Sequence, residues 1–227
     1  MRSRLLMLLI MVCLGLAAAP GTAAERPTLL VLGDSLSAAH GIPLEAGWVA
    51  LLADRLERRD PPWKVVNASV GGETTRGGRS RLPALLQRHA PEVVILALGG
   101  NDGLRGIAPD EARDNLSALV RTAREAGARV LLVGIRVPPN LGPRYAERFH
   151  GIYHQLAESL DVPLVPFLLE GVALEADMMQ PDGIHPTARA QPVMLDHVWP
   201  MLEPLLETTD ASPAGGGSQP QPRSANR

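Results

Sequence analysis

The chain has 227 residues, 22 Lys and Arg against 24 Asp and Glu for a net charge of −2, and a single cysteine. That length supports one domain with a substantial core. The charge balance excludes a basic footprint for nucleic acid, and one cysteine excludes a disulfide framework.

Arg2 and Arg4 precede an apolar run over residues 5–16, and small residues follow through Ala24. This is the layout of a secretory signal peptide over 1–24. The run is short for a membrane span, and no later run approaches the ~20 apolar residues a span needs. Cys13 lies within this segment, so the mature protein is expected to hold no thiolate nucleophile or thiolate metal site. Loss of Arg2 and Arg4 takes the charge from −2 to −4. Residues 208–227 are Gly, Pro, Ser and Gln with almost nothing apolar, a composition that cannot bury a core and predicts disorder. The folded domain is therefore expected over 25–207.

The first apolar run, 29–32, ends on Gly33-Asp34-Ser35. A buried strand that stops on this tripeptide either feeds a capped turn or holds up a serine nucleophile. A helical stripe of Trp48, Leu51, Leu52 and Leu56 follows, then a strand at 64–66 and the turn sequence NASVGGET. Leu82, Leu85 and Leu86 mark a second helix, and 93–98 a third strand that runs into GGNDG. Pro109 opens a third helix, with Leu116, Leu119 and Val120 on one face. A strand at 129–133 leads to the proline-stiffened loop VPPNLGPRY, and Tyr145, Phe149, Ile152, Leu156 and Leu160 stripe a fourth helix. The last strand is 163–165, followed by MMQPDGIHP and a final helix over 186–206, in which Pro192 and Pro200 predict a break or kink. Near-continuous apolar strands alternating with amphipathic helices predict a five-stranded parallel sheet covered on both faces. Ligands bind such sheets at the carboxyl ends of the strands, where Ser35 stands.

Four strand-end loops carry chemistry. A serine needs a base, and the base needs an orienting acceptor. Asp182 and His185 are three apart, so one turn of chain lets the carboxylate reach Nδ1 and leaves Nε2 to face Ser35. Asn101, after Gly99 and Gly100, can donate to an oxyanion, and Gly72 can offer a backbone N–H to the same place. Taken alone, each motif also reads as a plain turn or cap. Asp34 points away from its neighbour in sequence and is expected to tie adjacent loops together. Ser37 and Ser69 are expected to be loop hydrogen-bonders. His150 and His154, four apart, read as an exposed polar face rather than a metal pair. Gly-x-Ser-x-Gly is absent, so an ordinary α/β-hydrolase elbow is not indicated.

Together GDSLS, Gly72 in VGGET, GGND and DGIHP resemble the SGNH (GDSL) hydrolase superfamily, over nearly the whole domain from residue 28 to about 202. The resemblance implies a three-layer α/β/α flavodoxin-like fold. It implies Ser35 as nucleophile, His185 as base and Asp182 as its orienter. The Ser35 N–H, the Gly72 N–H and the Asn101 side chain would form the oxyanion hole, with a helix starting at the serine aiming N–H groups at it. No metal and no cofactor are implied. The family suggests esterase, arylesterase, thioesterase and lysophospholipase chemistry on small acyl esters and thioesters, by a periplasmic protein. Stable membrane insertion after signal cleavage is not expected, nor a nucleic-acid partner, and the protein is expected to be a monomer. A carbohydrate acetylesterase on the same fold and a non-catalytic binding module are the alternatives. Candidates for the acyl groove are Leu104, Met178 and Met179, with Asn140 and Leu141 of the proline loop. Leu141 stands where the family leads one to expect an aromatic residue.

Overall fold

The computed structural model describes residues 26–138 and 141–207. The segment 1–24 expected to be a signal peptide, the tail 208–227 and Asn140 lie outside the described residues. Among those described, no helix is long and apolar enough to cross a membrane.

Five strands form one parallel sheet: β1 (Thr28–Gly33), β2 (Lys64–Asn67), β3 (Val93–Ala97), β4 (Arg129–Val133) and β5 (Leu164–Val165), in the order β2-β1-β3-β4-β5. Alternation along the strands sorts their side chains onto two faces. Leu29, Val31, Val93, Ile95, Leu131 and Val133 face one way, onto α1 (Trp48–Glu57) and α6 (Gln191–Leu206). Leu30, Leu32, Val94, Leu96, Val130 and Leu132 face the other way, onto α2 (Thr75–His89), α4 (Pro109–Glu125) and α5 (Pro143–Leu160). The result is the expected three-layer α/β/α arrangement. Burying one such Leu, Ile or Val contributes about 2 kcal/mol. The edge strand β2 is only half-buried, and β5 is two residues long.

Two local expectations are corrected. Pro192 and Pro200 do not break α6, which runs unbroken from Gln191 to Leu206. Pro192 sits in the first turn, where a helix needs no N–H from it, and Pro200 lies on the exposed side, where water can take up the backbone carbonyl it leaves unpaired. No helix starts at Ser35. The chain instead makes tight turns (Ala38 N–H to Asp34 O, 3.0 Å; His40 N–H to Ser35 O, 3.3 Å), and Ala39 at φ 57° ends the helical path. The strand order reverses between β1 and β3, and the crevice at their carboxyl ends is the expected ligand site of such a sheet.

Candidate active site

Gly33 pairs with Ala97 at the end of the β1–β3 ladder, and a Cβ there would come within 2.8 Å of the Ser37 side chain and 2.9 Å of Ser69 Oγ. Only glycine lets the chain turn this closely, and the turn raises Ser35 above the strand end. His185 Nε2 lies 2.9 Å from Ser35 Oγ, and Asp182 Oδ2 lies 2.7 Å from His185 Nδ1. The other Asp182 oxygen accepts from the Ile184 N–H (2.9 Å) and the His185 N–H (3.0 Å). These bonds, that from the His185 N–H foremost, then that from the imidazole, hold the Asp182 carboxyl well below the usual carboxylate range.

Gln180 fixes this loop. Its N–H donates to His185 O (2.7 Å), and its side chain donates to His40 O (2.8 Å) and Pro186 O (3.0 Å), joining the nucleophile's turn to the loop of the base. The His40 ring lies 4.2 Å from that of His185, centroid to centroid.

Asn101 stands on the five-residue helix α3 (Gly100–Leu104), which begins sharply because Gly99 takes φ 119°. A Cβ on Gly99 would strike Tyr153 Oη at 2.0 Å. One N–H of the Asn101 amide donates to Glu73 O at 3.0 Å, and Nδ2 is also 3.4 Å from Asp34 Oδ2, a long contact. Asp34 is 1 % exposed, and Oδ1 accepts the Leu36 N–H at 3.0 Å. Burial pushes its carboxyl up to about 6, against the opposing pull of the Leu36 N–H and of His185. Asp34 thus ties the nucleophile's turn to α3, as its direction in the chain suggested. Among the described residues, neither the Ser35 N–H nor the Gly72 N–H donates to a backbone acceptor. Gly72 sits at φ 77°, its carbonyl accepting from Arg105 at 3.0 Å.

Ser35, Asn101 and His185 open on a cleft of about 520 Å³ whose walls are mainly apolar. Leu104, Ile135, Val137, Phe167, Leu169 and Met179 line it. Of the sequence-derived groove residues, Leu104 and Met179 are there. Met178 is partly buried against the core on the α1 and α6 side of the sheet and does not line the cleft. Leu141 is 46 % exposed, stands against Gly106 and does not line the cleft. Phe167 and Leu169 were not foreseen, because the irregular segment after β5 has no period to read.

Ser37 and Ser69 are corrected. Their hydroxyls are buried and find no partner among the described residues, and the loops are joined instead through Asn67, which donates to Ser37 O (2.8 Å) and accepts from Ser69 N–H (3.1 Å). His150 and His154 bring their Nε2 atoms to 3.3 Å, and no group of three or more metal-ligating side chains occurs among the described residues.

A parallel sheet with a serine, a histidine and an aspartate linked at its carboxyl edge narrows the class to hydrolases with a strand-end serine, and comparison with known proteins gives the family. Residues 31–191 match the model of the GDSL-like lipase/acylhydrolase family. The chain is 52 % identical over 199 residues to esterase TesA of Pseudomonas aeruginosa, covering 88 % of this chain and 98 % of that protein. It is 47 % identical over 184 residues to a thioesterase 1/protease 1/lysophospholipase of Escherichia coli, covering 81 % of this chain and 87 % of the relative. A crystal structure of TesA superposes with a TM-score of 0.75 at 54 % identity, over 79 % of this chain and 99 % of that one. The chain belongs to the GDSL lipase/acylhydrolase family, and it is a hydrolase.

Proposed function

We propose that the protein is a serine esterase that cleaves small-molecule acyl esters and thioesters through an acyl-enzyme. The observation that carries this reading is the unbroken hydrogen-bonded chain from Asp182 through His185 to Ser35, at 2.7 and 2.9 Å, opening on an apolar cleft. Ser35 Oγ attacks the carbonyl carbon while its proton passes to His185 Nε2. Asp182 holds the imidazole with Nδ1–H toward itself and stabilises the imidazolium that forms. The negative charge that develops on the carbonyl oxygen meets the free Ser35 and Gly72 N–H groups and the second Asn101 N–H, which leaves its long contact with Asp34.

As the tetrahedral intermediate collapses, the bond to the leaving oxygen or sulfur breaks and His185 returns the proton to it. Water then attacks the acyl-enzyme, giving its proton to His185, and Ser35 recovers it as the acid departs. The cleft between Leu104, Val137 and Phe167 receives the acyl chain. Its apolar lining supports an acyl substrate over a sugar. No step requires a metal or cofactor. The leader over 1–24 would carry the protein to the periplasm, where it works as a monomer with the tail 208–227 outside the catalytic domain.

The test is hydrolysis of p-nitrophenyl esters from two to sixteen carbons by the wild type and Ser35→Ala. Activity extending beyond acetate in the wild type and lost in the variant supports the reading. A sharp optimum at acetate favours an acetylesterase, and activity retained in the variant removes Ser35 as nucleophile.

A further inference from the structure

Asp102 directly follows Asn101 on α3 and is 0 % exposed. A carboxylate so placed is costly unless its charge is met. It is met by the N-terminus of another helix. Asp102 Oδ2 accepts the Thr75 N–H at 2.8 Å, and Oδ1 accepts the Thr75 hydroxyl at 2.5 Å. Thr75 is the first residue of α2, where unpaired N–H groups and the helix dipole favour an anion. Asn115 of α4 donates to the same Thr75 hydroxyl at 3.2 Å, so that oxygen is fixed from both sides.

Two more contacts run between the same pieces of chain. Asn101 donates to Glu73 O at 3.0 Å, and Arg105 donates to Gly72 O at 3.0 Å. Three side chains of one short helix and its cap therefore grip residues 72, 73 and 75. The two chain segments held together are those that supply the side-chain donor, Asn101, and a backbone donor, Gly72. Of the three grips only that of Asp102 is wholly buried and charged.

We propose that Asp102 is a positioning residue of the oxyanion hole. It fixes α3 against the start of α2, so that the Asn101 amide and the Gly72 N–H keep one separation and aim. A donor displaced by a fraction of an ångström still binds the ground-state carbonyl but loses much of its hold on the transition-state oxyanion. Asp102 touches no substrate, so its loss should appear in kcat and leave KM alone. The proposal rests on the oxyanion assignment above.

The experiment is a double-mutant cycle between Asp102→Asn and Asn101→Ala, with steady-state kinetics on p-nitrophenyl butyrate and melting curves of all four proteins. Asn keeps the shape and one acceptor but removes the charge. Asp102→Asn should lower kcat about 30-fold, the size of one charge-assisted hydrogen bond, with KM within about twofold of wild type. In the Asn101→Ala background the same change should cost about fivefold or less, because the donor it positions is gone.

Should Asp102→Asn fail to fold, Thr75→Val and Thr75→Ser take its place. Valine loses the hydroxyl and should lower kcat about fivefold, and serine retains it and should restore kcat to near the wild-type value. An equal loss from Asp102→Asn in both backgrounds, a raised KM at unchanged kcat, or a lowered melting temperature with unchanged kinetics would each overturn the proposal. Failure of the oxyanion assignment itself looks different: Asn101→Ala alone would then leave kcat intact.

Discussion

Asp34 adjoins Ser35 in sequence and is almost wholly buried, so its charge should be visible in stability. In the folded protein its carboxyl titrates near 6 against an ordinary value of 3.8, with desolvation the chief cause. The folded state therefore binds the proton more tightly than the unfolded state does. The sign follows from linkage: this group's favourable contribution is fully present below about pH 4 and is lost as pH rises through about 6. Each pH unit between the two values is equivalent to about 1.4 kcal/mol, so the loss over the interval is on the order of 3 kcal/mol. Asp34→Asn cannot ionise and escapes it. The variant carries its own constant cost, because its amide group must face Asn101 Nδ2 across a 3.4 Å contact, donor against donor. That cost cancels in a comparison across pH. Urea unfolding of both proteins at pH 4, 5, 6 and 7 should show the variant gaining on the wild type by roughly 3 kcal/mol between the first and the last. A difference independent of pH would refute the claim that Asp34 is strained by burial.

Asn101→Ala should lower kcat for a short ester by about 10² to 10³ with little change in KM, measured by steady-state kinetics; normal kcat with raised KM would make it a ground-state binder. Phe167→Ala should cut kcat/KM for decanoyl esters about tenfold while barely affecting acetyl esters, since a methylene is worth ~0.8 kcal/mol when buried. Leu141→Ala should leave the same chain-length profile unchanged, because the side chain stands outside the cleft. Equal effects of these two substitutions would misplace the acyl site.

The sheet was legible because its central strands are buried on both faces. Residues 29–32, 93–98 and 130–133 are continuous apolar runs, and their ends fall within a residue or two of β1, β3 and β4. Ser35, Asp182 and His185 could be singled out because their chemistry is local: Ser35 directly follows β1, and Asp182 and His185 are three residues apart in the loop before α6. The helix expected at Ser35 came with the family resemblance; this chain makes turns there instead, with Ala39 at φ 57°. The cleft walls were not legible, since Phe167 and Leu169 lie in an irregular segment and reach the site only after the sheet is assembled. Asp102 was hidden for a similar reason, its partner Thr75 lying 27 residues away. Pro192 and Pro200 read as breaks because a sequence reveals neither where a helix begins nor which of its faces meets water.

The central claim is that Ser35 is the nucleophile of an acyl-transfer site. It is tested most directly by treating the full-length protein with a fluorophosphonate and locating the adduct by peptide mass spectrometry. One equivalent on Ser35, with complete loss of activity and no labelling of Ser35→Ala, is the predicted result. Labelling of a different serine, or hydrolysis that persists with Ser35 fully modified, would contradict it.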